Sequence, residues 1–564
     1  MKRFAIFCMI LFAINVAGFQ SLYASEPIRV VICNDSPTVR FAADELVRYL
    51  GLMTGQSTAT IIIESKQTTV DSQKTTPAEI RLGLYSDFGK PHGVKDPACD
   101  DAFSIEIDHS RGFIAGSNPR SVLFGVYRFL EKLGCRWVRP GKSNELIPKL
   151  ALDKVANGLT CKLTDKATYR FRGVNNCGIY SFQELVDKID WCAKMGMNMF
   201  FCEFLFSRHF YARYYERGYP TYLLPDPKSD AEIWVHHRKN IDEIKKRGML
   251  YHAVGHGWTG LVVGAKPEDC DHDARPTPDP DKVKHLALYK GKRSIENGPT
   301  FTDLCYGNPE TFHRLVTLVA DYAQNHPEVD YLHFWLDDRM NNSCECPLCK
   351  DLKPSEVYVR LLNAVDAELT KRKLNTKIVF LTYIELFWPP KKEHFVHPER
   401  FVFMYAPISR NYREPYFLGD TKDVVIPEYG LNQYVLPNNM ELRSALLAGW
   451  QKVFSGPAFV FDYHMIWHHY NDFGYYDFAK IMTEDIRRLP HMGMQGYVSC
   501  QVVNSTFPHG FPMYLHAKML WNPKYDFDAI AKEFFQASFG HDWEKVLAYF
   551  QQLSAVSPFV ASRP

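Results

Sequence analysis

The chain has 564 residues, of which 46% are hydrophobic and 23% charged, and its formal net charge is only +2. That length suits a large domain beside a smaller one, and that composition excludes a disordered or fibrous chain. A near-neutral balance removes any bulk electrostatic reason to expect nucleic acid or an anionic membrane as partner.

Residues 1–24 have a basic start, an apolar run and a Leu22-x-Ala24 end. This reads as a secretory signal peptide cut near Ala24, so a secreted, periplasmic or surface location is expected. Cys8 lacks the small residues that precede a lipid-anchored cysteine. No later stretch is long and apolar enough to span a bilayer. The other cysteines are scattered rather than regularly spaced, which predicts mostly buried thiols with one or two bridges rather than a disulfide framework.

The mature chain opens on a strand, IRVVI, and a helix, FAADELVRYLGLMTG, with Gly55 as its stop. Strands are predicted at Thr58–Glu64 and Glu79–Leu84, around a polar loop at Ser65–Pro77. A hairpin turns near His109–Gly112, and an amphipathic helix covers Ser121–Leu133. Residues 26–150 therefore form a small α+β domain. A polar connector, Lys154–Thr168, leads to the second domain, residues 165–564.

There strand-like and helical runs alternate. Eight strands are predicted: Tyr169–Val174, Asn198–Cys202, Met249–Val254, Tyr331–Leu336, Lys377–Tyr383, Phe401–Tyr405, Ala458–Tyr463 and Tyr497–Gln501. Helices fall between them, as at Glu184–Met195 and Pro309–Asn325. The expected fold is α/β, a (β/α)8 TIM-like barrel preceded by the small domain. Helical patterns at Asp528–Ser538 and Trp543–Leu553 end the chain.

The most informative run is YLHFWLDD, Tyr331–Asp338. Alternation turns Leu332, Phe334 and Leu336 toward the helices, and Tyr331, His333, Trp335 and Asp337 toward the barrel interior. Asp337 and Asp338 then reach the rim where barrel enzymes keep their chemistry. Strict alternation parts two adjacent acids, so they share a site only if the strand ends there; the turn-like RMNNSC that follows allows this. Two acids are what glycosidic cleavage needs. The plainer reading is a cap or ion pair with Arg339.

Other candidates sit at strand ends. Glu385 and Tyr383 follow strand five, Glu203 follows strand two, and Tyr405 closes strand six. His256 and Trp258 lie in YHAVGHGWTG after strand three. Asp462, Trp467, His468 and His469 follow strand seven, and Trp467 or Trp388 could be a sugar platform. Each could equally be a structural partner. Cys344, Cys346 and Cys349 form CECPLC, with Cys305 a candidate fourth zinc ligand; a thiol cluster or disulfide holding the rim loop is the favoured reading, so no metal and no cofactor are expected. The chain lacks a phosphate-binding glycine loop, a GxSxG elbow and an HExxH helix, which leaves kinase, lipase-type and zincin readings without support.

The runs FAADELVRYLGLMTG and NPRSVLFGVYRFLEKLGCRWVRPG resemble the small domain that precedes the barrel in α-glucuronidases and β-hexosaminidases. CYGNPE, WLDD with CECPLC, and MYLHAKMLWNPKYDFDAIAKEFFQASFG resemble bacterial proteins first grouped as a domain of unknown function, a group that includes glycoside hydrolase family 163. The resemblance implies an endo-β-N-acetylglucosaminidase cutting the chitobiose core of N-glycans, with a glycan or glycoprotein as partner. It implies that Asp337 orients the substrate's 2-acetamido group and that Asp338 is the general acid/base, unless Glu385 takes that part. An exo-glycosidase such as an α-glucuronidase, with Arg410 and Arg413 gripping a uronate, is the alternative, as is a non-catalytic glycan-binding protein.

Overall fold

The structure, a computed structural model, describes residues 28–56, 59–63, 78–91, 93–176, 181–205, 229–266, 277–295, 298–466, 468–502 and 505–558. The leader at 1–24, the polar loop at 65–77 and Trp467 lie outside the described residues. The chain divides into two compact units: residues through Arg136 with Leu146–Lys166, and Trp137–Glu145 with Ala167 onward.

The first unit is a six-stranded sheet. Its strands are β1 (Ile28–Ile32), β2 (Ala59–Ile63), β3 (Glu79–Leu84), β4 (Ala102–Asp108), β5 (Arg111–Gly116) and β6 (Cys161–Lys166), in the order β2-β1-β3-β5-β4-β6. Helices α1 (Pro37–Thr54) and α2 (Pro119–Lys132) start on Ser36 and Asn118, whose side chains each accept a backbone N–H. Gly55 ends α1 in the left-handed region, at φ 77°. The β4–β5 hairpin turns on His109 and Ser110 with φ of 46° and 59°, the twist a two-residue hairpin favours. The expected connector proves to hold a strand. Cys161–Lys166 pairs antiparallel with β4 as an alternately buried and exposed edge, too polar to read as one.

The second unit is a closed parallel barrel of β7 (Phe171–Asn176), β8 (Met199–Glu203), β9 (Leu250–Gly255), β10 (Tyr331–Phe334), β11 (Lys377–Thr382), β12 (Phe401–Tyr405), β13 (Ala458–Met465) and β14 (Gly496–Gln501), with β14 closing on β7. The expected (β/α)8 architecture is thus observed. Helices α3 (Phe182–Lys194), α4 (Asp230–Lys246), α5 (Pro309–Asn325), α6 (Pro354–Lys371), α7 (Met440–Val453), α8 (Asp477–Arg488) and α9 (Phe511–Trp521) connect or follow the strands. The crossover from β11 to β12 carries only 3-10 turns. Helices α10 (Phe527–Phe539) and α11 (Trp543–Ala555) follow. Among the described residues no helix is long and apolar enough to cross a membrane.

Aromatic layers fill the barrel. Phe201 stacks on His333 at 4.1 Å, and Trp335 meets Phe201 edge-on at 5.4 Å. His252 Nδ1 and His333 Nε2 share a hydrogen bond of 2.9 Å, and burial pushes both imidazoles well below their usual pKa. These are uncharged core histidines. The interior is packed, so chemistry is confined to its rim.

Candidate active site

Strand β10 ends at Phe334, whose carbonyl accepts the hydroxyl of Tyr358 from α6. Trp335–Asp338 are therefore free of strict alternation, and the two acids face different surroundings. Asp338 Oδ1 accepts the Tyr383 hydroxyl at 2.6 Å, and its side chain keeps 24% exposure. His256 Nε2 stands 3.9 Å from the same oxygen. His256 Nδ1 donates to the Leu336 carbonyl at 3.0 Å, which fixes the tautomer and aims Nε2 at the acid. The backbone N–H of Asp338 is held by the Thr300 carbonyl at 2.9 Å.

Asp337 turns the other way and is buried. Asn342 Nδ2 donates to its Oδ2 at 2.7 Å. Burial, then the nearby Asp303, push its pKa well above the carboxylate range. Glu385 is buried too and accepts the Tyr434 hydroxyl at 2.8 Å. Burial, then Asp337, push it up to about 8. Asp303 rises to about 8 from burial and then from Glu385. Asp303, Tyr306, Leu336, Glu385 and Leu431 line one cavity. Three buried carboxyls that crowd one another oppose each other's ionisation, which raises the pKa of each.

Glu203, at the end of β8, accepts Asn175 Nδ2 at 2.6 Å. Burial pushes the Tyr383 phenol well up, and Asp338, Glu203 and Cys500 push the same way. Burial does the same to Tyr463, helped by Tyr383, Cys500 and Asp338. The rim thus brings together residues from β7, β8, β11, β13 and β14 with the segment after β10. The backbone is strained here: Phe204 and Val254 have φ of 76° and Ile384 has φ of 52°. Non-glycine residues in the left-handed region gather where a site over-determines the chain.

The structure thus gathers Asp338, His256, Tyr383 and Glu203 on one side of the rim and Asp337 and Glu385, with Asp303, on the other. It removes others. Trp258 is fully buried, donates to the His333 carbonyl at 3.0 Å and packs edge-on to Tyr322 of α5. The short helix Trp258–Val262 carries it back into the helical layer. Tyr405 is buried against Phe387. Asp462 is fully buried in a network with Arg410, Tyr412 and Tyr416. Burial opposes its ionisation, but Arg410 and His464 outweigh it and hold the carboxyl below its usual range. Trp388 spends its N–H on the Pro427 carbonyl at 2.8 Å and lies edge-on to Tyr429 and Tyr434, so it offers no open platform. Arg410 is sealed between Asp462 and Asp485, and Arg413 donates to the Pro558 carbonyl. Asp303, Asn342, Tyr434 and Asn175 were missed. Asp303 lies two residues before Cys305 in a loop without periodicity, and only its place just ahead of CYGNPE could have raised it.

A family model described as a domain of unknown function, DUF4838, matches residues 277–552, just under half of the chain. No curated protein matches the chain. Among solved structures the chain is similar to a GH138 enzyme targeting pectin rhamnogalacturonan II, with 9% identity over 94% of this chain and 55% of that one and a TM-score of 0.54. It is also similar to a GH89 protein from Clostridium perfringens, solved in complex with its substrate GlcNAc-alpha-1,4-galactose, with 12% identity over 93% of this chain and 52% of that one and a TM-score of 0.51. The chain spans about half the length of both. At such identity the likeness is one of fold.

Proposed function

We propose that the chain is a glycoside hydrolase of the endo-β-N-acetylglucosaminidase kind, cutting the chitobiose core of N-glycans with retained configuration. The observation behind this reading is the division among neighbouring carboxyls: Asp338 meets solvent under a phenol and an imidazole, while Glu385 keeps a proton to about pH 8. Environments that separate acids in this way mark out proton donor and carboxylate. The solved neighbours, a GH138 enzyme and a GH89 protein bound to an N-acetylglucosamine-containing sugar, support glycoside hydrolysis, and the endo-β-N-acetylglucosaminidase kind rests on the sequence resemblance to family 163.

In this mechanism the substrate's acetamido oxygen attacks the anomeric carbon as the bond to the departing sugar oxygen breaks. Glu385 gives its proton to that oxygen. Its pKa lies near neutrality, where a donor works best. Asp338 accepts the acetamido N–H and offsets the charge of the oxazolinium ring. Water then adds to the anomeric carbon and returns a proton to Glu385, and the ring opens. Asp337 holds its proton too firmly to be the polarising charge, so in this reading it positions the rim through Asn342. This moves to Asp338 the acetamido-orienting part that the resemblance implies for Asp337, and gives the acid/base part to Glu385. The uronate alternative loses one of its two grip residues, because Arg410 is sealed inside the barrel wall.

The test is incubation with a complex-type glycoprotein and mass spectrometry of both products. Released glycan, with one N-acetylglucosamine left on the asparagine, is expected, together with binding of a thiazoline that mimics the oxazoline. Glycan bound but not released would favour a lectin-like role, and neither binding nor release would reject the reading.

A further inference from the structure

Four cysteines from two distant stretches meet beside the rim. The Sγ atoms of Cys305, Cys344, Cys346 and Cys349 all lie within 4.8 Å of one another, and all four residues are buried. Cys305 Sγ is 3.6 Å from Cys346 Sγ and 3.7 Å from Cys349 Sγ. A zinc–thiolate bond is about 2.3 Å, so the edge of a tetrahedral ZnS4 site is about 3.8 Å. The two separations from Cys305 match that edge, and the remaining sulfur pairs lie within 4.8 Å. A disulfide would single out one partner, whereas Cys305 is equally close to two.

The surroundings are those of thiolates. Leu288 N–H points at Cys344 Sγ and Gly307 N–H at Cys349 Sγ, each at 3.2 Å, and Arg293 Nη2 lies 3.9 Å from Cys305 Sγ. Donors of this kind orient metal ligands and spread their charge. Cys346 O accepts from Cys349 N at 2.9 Å and Lys350 N at 3.0 Å, a tight turn that folds Cys346 and Cys349 to one side. The two stretches approach so closely that a Cβ on Gly307 would lie 2.4 Å from the Leu348 carbonyl oxygen. Ala287, Leu288 and Leu352 close the cluster in apolar contact. Four buried, donor-lined sulfurs fill all four positions of a tetrahedral ion, the set of a structural site, although Cys344 and Cys349 also line the cavity that holds Asp303 and Glu385.

We propose that Cys305, Cys344, Cys346 and Cys349 bind one structural zinc ion. The ion pins the segment after Asp338 at its far end. Asn342, which holds Asp337, lies two residues before the first thiolate of CECPLC. Ser343, between them, exchanges hydrogen bonds with Asn432 at 2.8 and 2.9 Å. The inference stands on the sulfurs alone and does not depend on the hydrolase reading.

The test uses the full chain purified without chelator. Elemental analysis should find about one zinc per chain. Growth on cobalt should give the intense thiolate-to-metal absorption of tetrahedral CoS4, a readout that needs no activity. Cys346→Ser should lower zinc content at least about ten-fold and lower the melting temperature, whereas Cys99→Ser should keep the metal. Should Cys346→Ser fail to fold, the wild-type cobalt spectrum still decides. No bound metal with four freely titrating thiols, one iron in place of zinc, or disulfide-linked peptides among these cysteines would each overturn the proposal.

Discussion

Tyr383 touches the proposed chemistry through a single hydroxyl, which makes it a sharp probe. A hydrogen bond to a charged group contributes about 1.5–3 kcal/mol, so Tyr383→Phe should lower kcat/KM roughly ten- to hundred-fold with little change in melting temperature, as steady-state kinetics and calorimetry would read. Asp338→Asn keeps the shape and removes the charge that faces the oxazolinium. A loss of about 10²–10³-fold is expected, and wild-type turnover by that variant would discard its role. Glu385→Gln separates the donor from its neighbours in another way: release of a glycan should collapse, while an aryl glycoside with a good leaving group should suffer much less. At this scale the acid pair drew attention because two charged residues ending an apolar strand have few structural uses, and the parts given to Asp337 and Asp338 remain a proposal. Trp258, Tyr405 and Asp462 were misread because their residue types suit a ligand, while local geometry decides whether a side chain meets the rim or the packed wall. Asp462 lies inside β13, and for Trp258 the turn of the following segment decides. That turn depends on contacts such as the Trp258 N–H to the His333 carbonyl, made across 75 residues.

At the scale of elements, the eight barrel strands were readable almost to the residue because parallel strands buried on both faces leave continuous apolar runs. Phe401–Tyr405 was expected and is observed with the same bounds. The informative departure is β10, which stops at Phe334 rather than Leu336; the stop frees Asp337 and Asp338 from strict alternation, yet they still turn to different partners, Asn342 and Tyr383. Strand β6 was hidden because only one of its faces is covered. The loops between elements carry the strain. Gly257 follows β9 at φ +121°, and a Cβ there would lie 2.6 Å from the Leu205 Cβ, so neither its conformation nor its space admits another residue. Gly257→Ala should destabilise the barrel by about 1–3 kcal/mol and displace His256 from Asp338. Calorimetry would show the first effect and a rise in KM the second. The wall network around Asp462 holds β13 to the segment after β12. Arg410→Met would leave Asp462 and Asp485 as uncompensated buried charges, with an expected cost of about 3–5 kcal/mol.

For the molecule as a whole, the acids buried beside the rim link folding to pH. Glu385 titrates near 4.5 when unfolded and at about 8 in the folded protein. Between those values the folded chain binds a proton that the unfolded chain has released, so stability declines as pH rises through this window. The contribution is complete below about pH 4.5 and is lost as pH passes 8. Asp337, raised by the same burial, extends the decline to higher pH. Asp190 acts in the opposite sense: burial opposes its ionisation, but Lys194 and Arg247 outweigh it and hold the carboxyl below its usual range, so its contribution is lost as pH falls. Thermal melts from about pH 5.5 to 9 should therefore show a downward slope on the alkaline side, and Glu385→Gln, which stays neutral in both states, should flatten it. The variant should gain on wild type as pH rises toward about 9. An identical pH profile for the two proteins would mean that Glu385 is ionised in the folded state, and the proton donor would then have to be sought elsewhere on the rim.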